Sequence, residues 1–303
     1  MIGKLCRKYM VRMALIALAV QAMPAQAVIS IHDDAGDLVT LAQPARRVIS
    51  LSPHVTEMLF AAGGAARIVG TVNYSDYPPE AKTIPRVGDN RAVDVERLLS
   101  LKPDLLVVWR HNASSRQMEQ LRRLGIPLFY SEPHKLDDIP RSVVRLGQLM
   151  GTEQQAQQSA GALQRQLDGL VSRYRNRPLV RVFYQVWDKP LYTLNEKHII
   201  SDAIRICGGE NIFAALPMAA PSITQEAVLK ENPEVIVSGD RNDQPVSGIE
   251  IWKQYPSMLA VKRGNLFAID GNLINRSGPR IIEGATELCA RLEQARSRRG
   301  AGQ

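Results

Sequence analysis

Short apolar runs alternate with helical patterns along most of the chain. Arg47–Leu51, Ile68–Val72, Leu105–Trp109 and Leu128–Tyr130 are such runs. Strands covered on both faces read this way, and their alternation with helices predicts a parallel or mostly parallel α/β sheet. Ahead of them, Ile29–Asp33 and Leu38–Leu41 flank Asp34-Ala35-Gly36-Asp37, two short strands around an Asp/Gly turn, which predicts a β-hairpin. A second set follows in the other half: Leu179–Tyr184, Val235–Ser238 and Leu266–Ile269, again with helices between.

A long helix separates the two sets. Thr152-Glu153-Gln154-Gln155 matches a capping box. Ala156, Ala160, Leu163, Leu167, Leu170, Val171 and Tyr174 then recur on one helical face, and Pro178 closes the segment. A continuous helix from Thr152 to Arg175 would reach about 35 Å, the width of a small domain.

The two sets also resemble each other. Val95-Glu96-Arg97-Leu98-Leu99-Ser100-Leu101-Lys102-Pro103-Asp104-Leu105 aligns with Gln225-Glu226-Ala227-Val228-Leu229-Lys230-Glu231-Asn232-Pro233-Glu234-Val235 at a constant offset of 130, the distance from Glu96 to Glu226 and from Pro103 to Pro233. Gly63-Gly64 is loosely echoed by Gly208-Gly209. Either a common helix–Pro–strand unit recurs by chance, or two lobes share one plan. The second reading predicts two Rossmann-like lobes joined by one long rigid helix, with the ligand cleft between them. Its segments would be a signal peptide (1–27), an N-terminal α/β lobe with a leading hairpin (28–151), a spine helix (152–177), a C-terminal α/β lobe (178–297) and a tail (298–303).

Composition narrows the class. With 303 residues, 45% apolar and 22% charged, the chain reads as soluble and globular, not as a multi-span membrane protein, a collagen or a disordered tail. The start reads as an export signal: Lys4, Arg7, Lys8 and Arg12, then the apolar run Met13 to Val20, then Ala25-Gln26-Ala27, so that Val28 would begin a periplasmic chain. A buried N-terminal helix is the alternative. Removing those four basic residues from 38 leaves 34 against 30 acids, so the formal +8 falls to +4. Arg291, Arg296, Arg298 and Arg299 near the C-terminus read as a solvated, frayed tail. No interleaving of aromatic and basic residues suggests a nucleic-acid groove. Cys6 would leave with the signal, and Cys207 and Cys289 remain, 82 residues apart. In an oxidising compartment they favour one disulfide, with two separate buried thiols as the alternative.

Catalytic and metal patterns are missing from the sequence. There is no G-x-S-x-G elbow, P-loop, strand-linked G-x-G-x-x-G, CxxC, HExxH or His/Cys cluster, so neither an enzyme nor a zinc site has support. Ser52, His54 and Glu57 are close in sequence, but adjacency along the chain is not a triad. His54 either faces a cleft or starts a helix bonded to nearby backbone, and we take the second. Asp33-Asp34 and Asp137-Asp138 read as turn or helix-start caps. The aromatics say more. Tyr74 and Tyr77, Trp109, and Trp187 and Tyr192 each follow a predicted strand. Core packing explains any one of them, but together they suit a binding cleft for a large flat ligand.

Five segments carry a family resemblance over nearly all of the mature chain: Arg47-Val48-Ile49-Ser50-Leu51-Ser52-Pro53, Tyr74-Ser75-Asp76-Tyr77-Pro78-Pro79, Leu101-Lys102-Pro103-Asp104-Leu105, Cys207-Gly208-Gly209-Glu210-Asn211-Ile212-Phe213 and Ser277-Gly278-Pro279-Arg280. With them the chain resembles the periplasmic cobalamin-binding proteins of bacterial ABC-type cobalamin importers, in the helical-backbone class (class III) of substrate-binding proteins. The first segment and the spine are shared with haem and siderophore binders. The second and fourth point to the corrinoid branch. The resemblance implies a monomer, not an enzyme, that carries cobalamin or a related corrinoid as transported ligand, without a resident cofactor or metal, to an inner-membrane permease and its ATPase. It implies ligand-lining roles for Pro53, Tyr74, Trp109 and Tyr192, and for the loop Asn272, Leu273, Ile274, Asn275 and Arg276. Two cleft tryptophans of the best-known member stand here as Asn90 and Ala220, and Trp187 is an added aromatic that would replace part of that surface. Cys207 and Cys289 match the family's disulfide pair. Glu96 and Glu226 match the glutamates that dock on permease arginines. A haem or ferric-siderophore binder of the same class is the alternative, and an exported tetrapyrrole-handling enzyme such as a chelatase is the alternative of another class.

Overall fold

The short apolar runs fold as parallel strands because both faces of each are covered. The computed structural model describes residues 28–89, 92–109, 115–240 and 248–300; the segment read as an export signal lies outside them. The hairpin strands β1 (Ile29–His32) and β2 (Leu38–Leu41) pair antiparallel. Asp33 caps the turn, accepting from Ala35 N and Asp37 N, and ties it to the first lobe by accepting from Tyr130 N.

The first lobe follows as β3 (Val48–Ser50), α1 (Pro53–Ala61), β4 (Ile68–Thr71), α2 (Val95–Ser100), β5 (Leu105–Val108), α3 (Ser115–Arg123), β6 (Leu128–Tyr130) and α4 (Asp138–Met150). Its sheet runs β4-β3-β5-β6, every pair parallel. The central strand β5 is buried along its whole length, which is why its sequence shows no alternation.

After the spine α5 (Glu153–Tyr174) comes the second lobe: β7 (Val180–Gln185), the small ribbon β8 (Trp187–Asp188) and β9 (Leu191–Tyr192), α6 (Ile199–Ile206), β10 (Gly209–Asn211), α7 (Gln225–Glu231), β11 (Val235–Asp240), α8 (Leu259–Lys262), β12 (Leu266–Asp270), α9 (Gly271–Ile274) and α10 (Ile281–Ser297). Its sheet runs β10-β7-β11-β12, again all parallel. Each sheet therefore has the order second, first, third, fourth, and the two-lobed α/β fold expected from the sequence is the fold observed.

The repeat extends to the helix ends. Asp94 caps α2 by accepting from Arg97 N, and Thr224 caps α7 by accepting from Ala227 N. Beyond the helices, Lys102 (φ 47°) and Asn232 (φ 44°) both adopt the left-handed conformation just before Pro103 and Pro233. Cap, left-handed residue and proline recur at the offset of 130, so the two units share local conformation as well as composition.

The spine belongs to both cores. Ala156 and Ala160 pack with the first lobe, Leu167, Leu170 and Tyr174 with the second, and Leu163 touches both. Gly147 lets α4 approach closely: a Cβ there would lie 2.2 Å from the Ala156 Cβ. The capping box does not form. Thr152 sits at φ −125°, ψ 32° without a side-chain cap, and its hydroxyl instead donates to Ala62 O at 2.6 Å. An acceptor left at the end of α1 outcompetes the box for that hydroxyl.

The Arg-rich C-terminus is not a frayed tail as far as residue 300. Arg291 and Arg296 lie on α10. Arg296 is 9% exposed and donates to the carbonyls of Pro178, Cys207 and Gly208 at 2.7–2.9 Å. Arg299 forks onto both oxygens of Glu234 at 2.7 and 2.6 Å, and Arg298 donates to Gly264 O. A guanidinium carries several donors in one plane, which suits chain ends that leave carbonyls unpaired. The Cys207–Cys289 disulfide (S–S 1.99 Å) ties the end of α6 to α10 beside this cluster. No helix of the described residues is long and apolar enough to cross a membrane.

Candidate functional site

Ligand sites of parallel α/β sheets form where the strands end and the loops begin. In the first lobe, β3 leads through Ser52 into Pro53 at the start of α1, β4 leads to Tyr74–Tyr77, and β5 runs directly into Trp109. In the second, β7 leads to Trp187 and Tyr192, cross-strand partners in the β8–β9 ribbon, and β12 leads to α9 and the 275–280 loop. The two strand-end faces meet, because 275–280 docks on α1 and on the Tyr74–Tyr77 loop.

That contact is ionic. Glu57, on the buried face of α1 and 3% exposed, receives Arg280 Nε at 2.9 Å and Nη2 at 2.7 Å. Arg276 Nη1 lies 2.8 Å from Asp76 Oδ1 and 3.4 Å from Glu57 Oε1, and its Nη2 lies 3.4 Å from Asn272 Oδ1. The Arg280 guanidinium stacks 3.9 Å over the Tyr77 ring. Burial works against the Asp76 carboxylate, but the bond and charge of Arg276, its own backbone and Arg280 together hold its pKa below the ordinary value. Gly278 allows the approach: a Cβ there would sit 3.3–3.4 Å from the backbone and Cβ of His54.

Buried hydroxyls position the first-lobe side. Thr56 Oγ1 bonds Ser50 Oγ (2.8 Å), Thr71 Oγ1 (3.0 Å) and Ser75 Oγ (3.1 Å), joining β3, α1, β4 and the Tyr74–Tyr77 loop. Arg86 donates to Val72 O and Ser75 O from behind. Tyr74, held at φ 67°, leaves most of its ring exposed, and Tyr77 is also exposed. Trp109 is half-buried and packs perpendicular to the His54 imidazole, centroids 5.2 Å apart and planes at 90°. His54 bonds Ser52 Oγ through Nδ1 at 2.8 Å. It is thus a buried helix-start histidine, but bonded to a side chain and packed on a strand-end tryptophan. Burial pushes its pKa down to about 4, the Arg276 charge adds to this, and the Ser131 carbonyl opposes it.

On the second-lobe side, Trp187 is half-exposed and donates through Nε1 to Lys189 O at 3.1 Å; Tyr192 is half-buried. Asn272, Leu273 and Arg276 are half-buried. Ile274 departs from the sequence expectation. It is wholly buried in the second-lobe core and offers no surface to a ligand, because α9 turns that side chain inward. Asn275 is exposed, yet its amide accepts from Tyr184 OH at 2.7 Å and donates to Gly239 O at 3.0 Å, so it braces the loop. Burial, with Asp240 nearby, raises the Tyr184 pKa and keeps that phenol neutral. Ala220 is exposed, and Asn90 lies outside the described residues.

Glu96 and Glu226 are exposed in the first turns of α2 and α7. A helix leading into a parallel strand runs antiparallel to it, so these first turns lie at the strand-end side of each lobe. The Glu57–Arg280–Arg276–Asp76 cluster was not anticipated from the sequence. The available signal was an acid on the buried face of α1, which needs a cation wherever it is found. Among the described residues no group of three His, Cys, Asp or Glu side chains could hold a metal.

Comparison with known proteins identifies the family. The periplasmic binding protein family profile matches residues 48–273. A vitamin B12-binding protein of Pectobacterium carotovorum is 35% identical over 243 residues, covering 80% of this chain and 86% of that protein. One of Yersinia pestis is 37% identical over 256 residues, covering 84% and 89%. The crystal structure of the periplasmic vitamin B12 binding protein of Vibrio cholerae superposes with a TM-score of 0.76 at 32% identity, covering 84% of this chain and 98% of that one. A periplasmic haem-binding protein from Roseiflexus shares the fold at a TM-score of 0.71 and 23% identity, covering 83% and 99%. The match runs along nearly the whole length of these relatives, and the chain belongs to the periplasmic binding protein family.

Proposed function

We propose that this protein captures cobalamin or a related corrinoid in the periplasm and delivers it to an inner-membrane ABC importer, as a binding protein and not as an enzyme. The observation that carries the reading is the set of partly exposed aromatics at the strand ends of both lobes: Tyr74, Tyr77 and Trp109 on one side, Trp187 and Tyr192 on the other. A corrin ring is a large flat body with an apolar face and a polar rim, and aromatic walls suit it. Covering the exposed half of Trp187 alone would remove on the order of 100 Å² of apolar surface from water, roughly 2.5 kcal/mol. The vitamin B12-binding relatives support the ligand class. The charged, apolar and small-residue order of residues 4–27 supports export. Exposed Glu96 and Glu226 would dock on paired permease arginines.

The test is a visible spectrum of the purified mature chain titrated with cyanocobalamin and, separately, with haemin. Saturable binding of cyanocobalamin is expected. Tight haemin binding with no cyanocobalamin binding would transfer the assignment to haem.

A further inference from the structure

Arg276 has two acidic partners, and they differ in how readily they could let it go. Glu57 is already satisfied by two bonds from Arg280, its side chain is 2% exposed, and its distance to Arg276 is 3.4 Å. Asp76 holds Arg276 at 2.8 Å, but its side chain is 49% exposed and rides on the loop between Tyr74 and Tyr77. If Arg276 were drawn away, water could replace it at Asp76, whereas Glu57 would keep Arg280. Arg276 itself is largely covered, with a side chain 16% exposed, and its second terminal nitrogen points to Asn272, a residue of the same strand-end loop. The exchangeable bond of the cluster therefore lies beside the aromatics, and the fixed bonds lie behind it.

We propose that Asp76 is a specificity-determining positioning residue: it holds Arg276 in an internal ion pair, so that an occupant with an anionic arm gains the arginine only by displacing Asp76, while an occupant without one leaves the pair intact. This rests on the corrinoid reading above. Among corrinoids the distinguishing group is the phosphodiester of the lower-base arm, present in cobalamins and absent from cobinamides. A phosphodiester oxygen takes a guanidinium in the same fork geometry as a carboxylate, so the two anions compete for one donor set. Asp76 lowers the affinity for the phosphodiester-bearing ligand by the strength of its own bond to Arg276, and that bond keeps the cation neutralised while the cleft is empty.

Titration calorimetry of the mature protein with cyanocobalamin and with dicyanocobinamide tests this. In Asp76→Asn the arginine is released, and cyanocobalamin should bind about 2- to 5-fold tighter, the range expected for a half-exposed ion pair. Dicyanocobinamide affinity should stay the same. Glu80→Gln removes an exposed acid from the neighbouring Pro79–Thr83 turn and controls for a general loss of negative charge; it should shift neither ligand. In an Arg276→Gln background, Asp76→Asn should have no further effect on cyanocobalamin, because a double-mutant cycle reports the coupling of the pair. Weaker cyanocobalamin binding by Asp76→Asn, or an equal shift for both corrinoids, would overturn the competition. Wild-type protein that binds both ligands with Asp76→Asn unchanged would sink this inference alone. Wild-type protein that binds neither would overturn the corrinoid reading and this inference with it.

Discussion

Acid should weaken this fold in part through one buried histidine. His54 is 4% exposed, packs perpendicular to Trp109 and lies against Gly278 of the other lobe. Its pKa is pushed from 6.5 to about 4, first by burial. A histidine with a folded value below its unfolded value takes up its proton mainly in the unfolded chain. Stability is therefore complete above pH 6.5 and is lost as pH falls toward about 4. Each pKa unit corresponds to about 1.4 kcal/mol, so the drop from 6.5 to about 4 makes the loss roughly 3 kcal/mol by pH 4, where the folded site is itself half protonated. His54→Asn keeps a hydrogen-bonding atom near Nδ1 for Ser52 and removes the titration. Urea unfolding followed by tryptophan fluorescence, from neutral pH to about pH 4, gives the stability of both proteins at each step. Carboxylates that titrate in both proteins cancel in the difference. The wild type should lose roughly 3 kcal/mol more than the variant by pH 4. Equal losses would mean that the folded site protonates as freely as the unfolded chain, and the burial argument would fail.

Three further outcomes follow from the same structure. Cys207→Ser with Cys289→Ser should lower the unfolding midpoint, with a ceiling of roughly 4.5 kcal/mol for a loop of 82 residues, and thiol titration of the denatured wild type should find no free thiol in the mature chain. Trp109→Ala should weaken corrinoid binding by about 1–3 kcal/mol in calorimetry, and unchanged affinity in a folded variant would remove Trp109 from the site. Glu96→Arg with Glu226→Arg should abolish importer-dependent uptake and leave corrinoid affinity unchanged; wild-type uptake by that double variant would leave both residues as ordinary first-turn acids.

The parallel strands were legible because burial on both faces leaves an unbroken apolar run, as in β5. The spine was legible because one apolar face serves two cores in succession, from Ala156 to Tyr174. The repeat was legible because α2 and α7 carry the same acid, leucine and proline spacing. What escaped depends on partners that no local pattern marks. Glu57 and Arg280 are 223 residues apart and meet only once both lobes are folded. Arg296 reads as part of a solvated charge run because its acceptors are backbone carbonyls, which every residue carries. Thr152 has the right neighbours for a capping box, yet the end of α1 supplies a closer acceptor. Ile274 follows Asn272 and Leu273 in the loop expected to line the ligand, but the turn of α9 sends it into the core.

The lobes are tied both by apolar packing and by polar bonds, and this bears on how the cleft can work. The spine ties them through apolar packing, with Leu163 touching both cores. Leu136 N of the first lobe donates to Asp202 Oδ2 of the second at 2.9 Å, and at the cleft Arg280 gives two bonds to a nearly inaccessible Glu57. Separating the lobes there would leave Glu57 without its cation, and breaking a buried pair on one side costs about 3–5 kcal/mol unless water reaches the carboxylate. A wide hinge opening would have to break this tie and bend or unpack a 22-residue helix together. Large closure around the ligand is therefore disfavoured, and selectivity must come from side chains already in place at the strand ends. The half-exposed aromatics and the exchangeable Asp76–Arg276 bond are such side chains: they can reorient by rotamer changes while the Glu57–Arg280 tie and the spine hold the lobes in register.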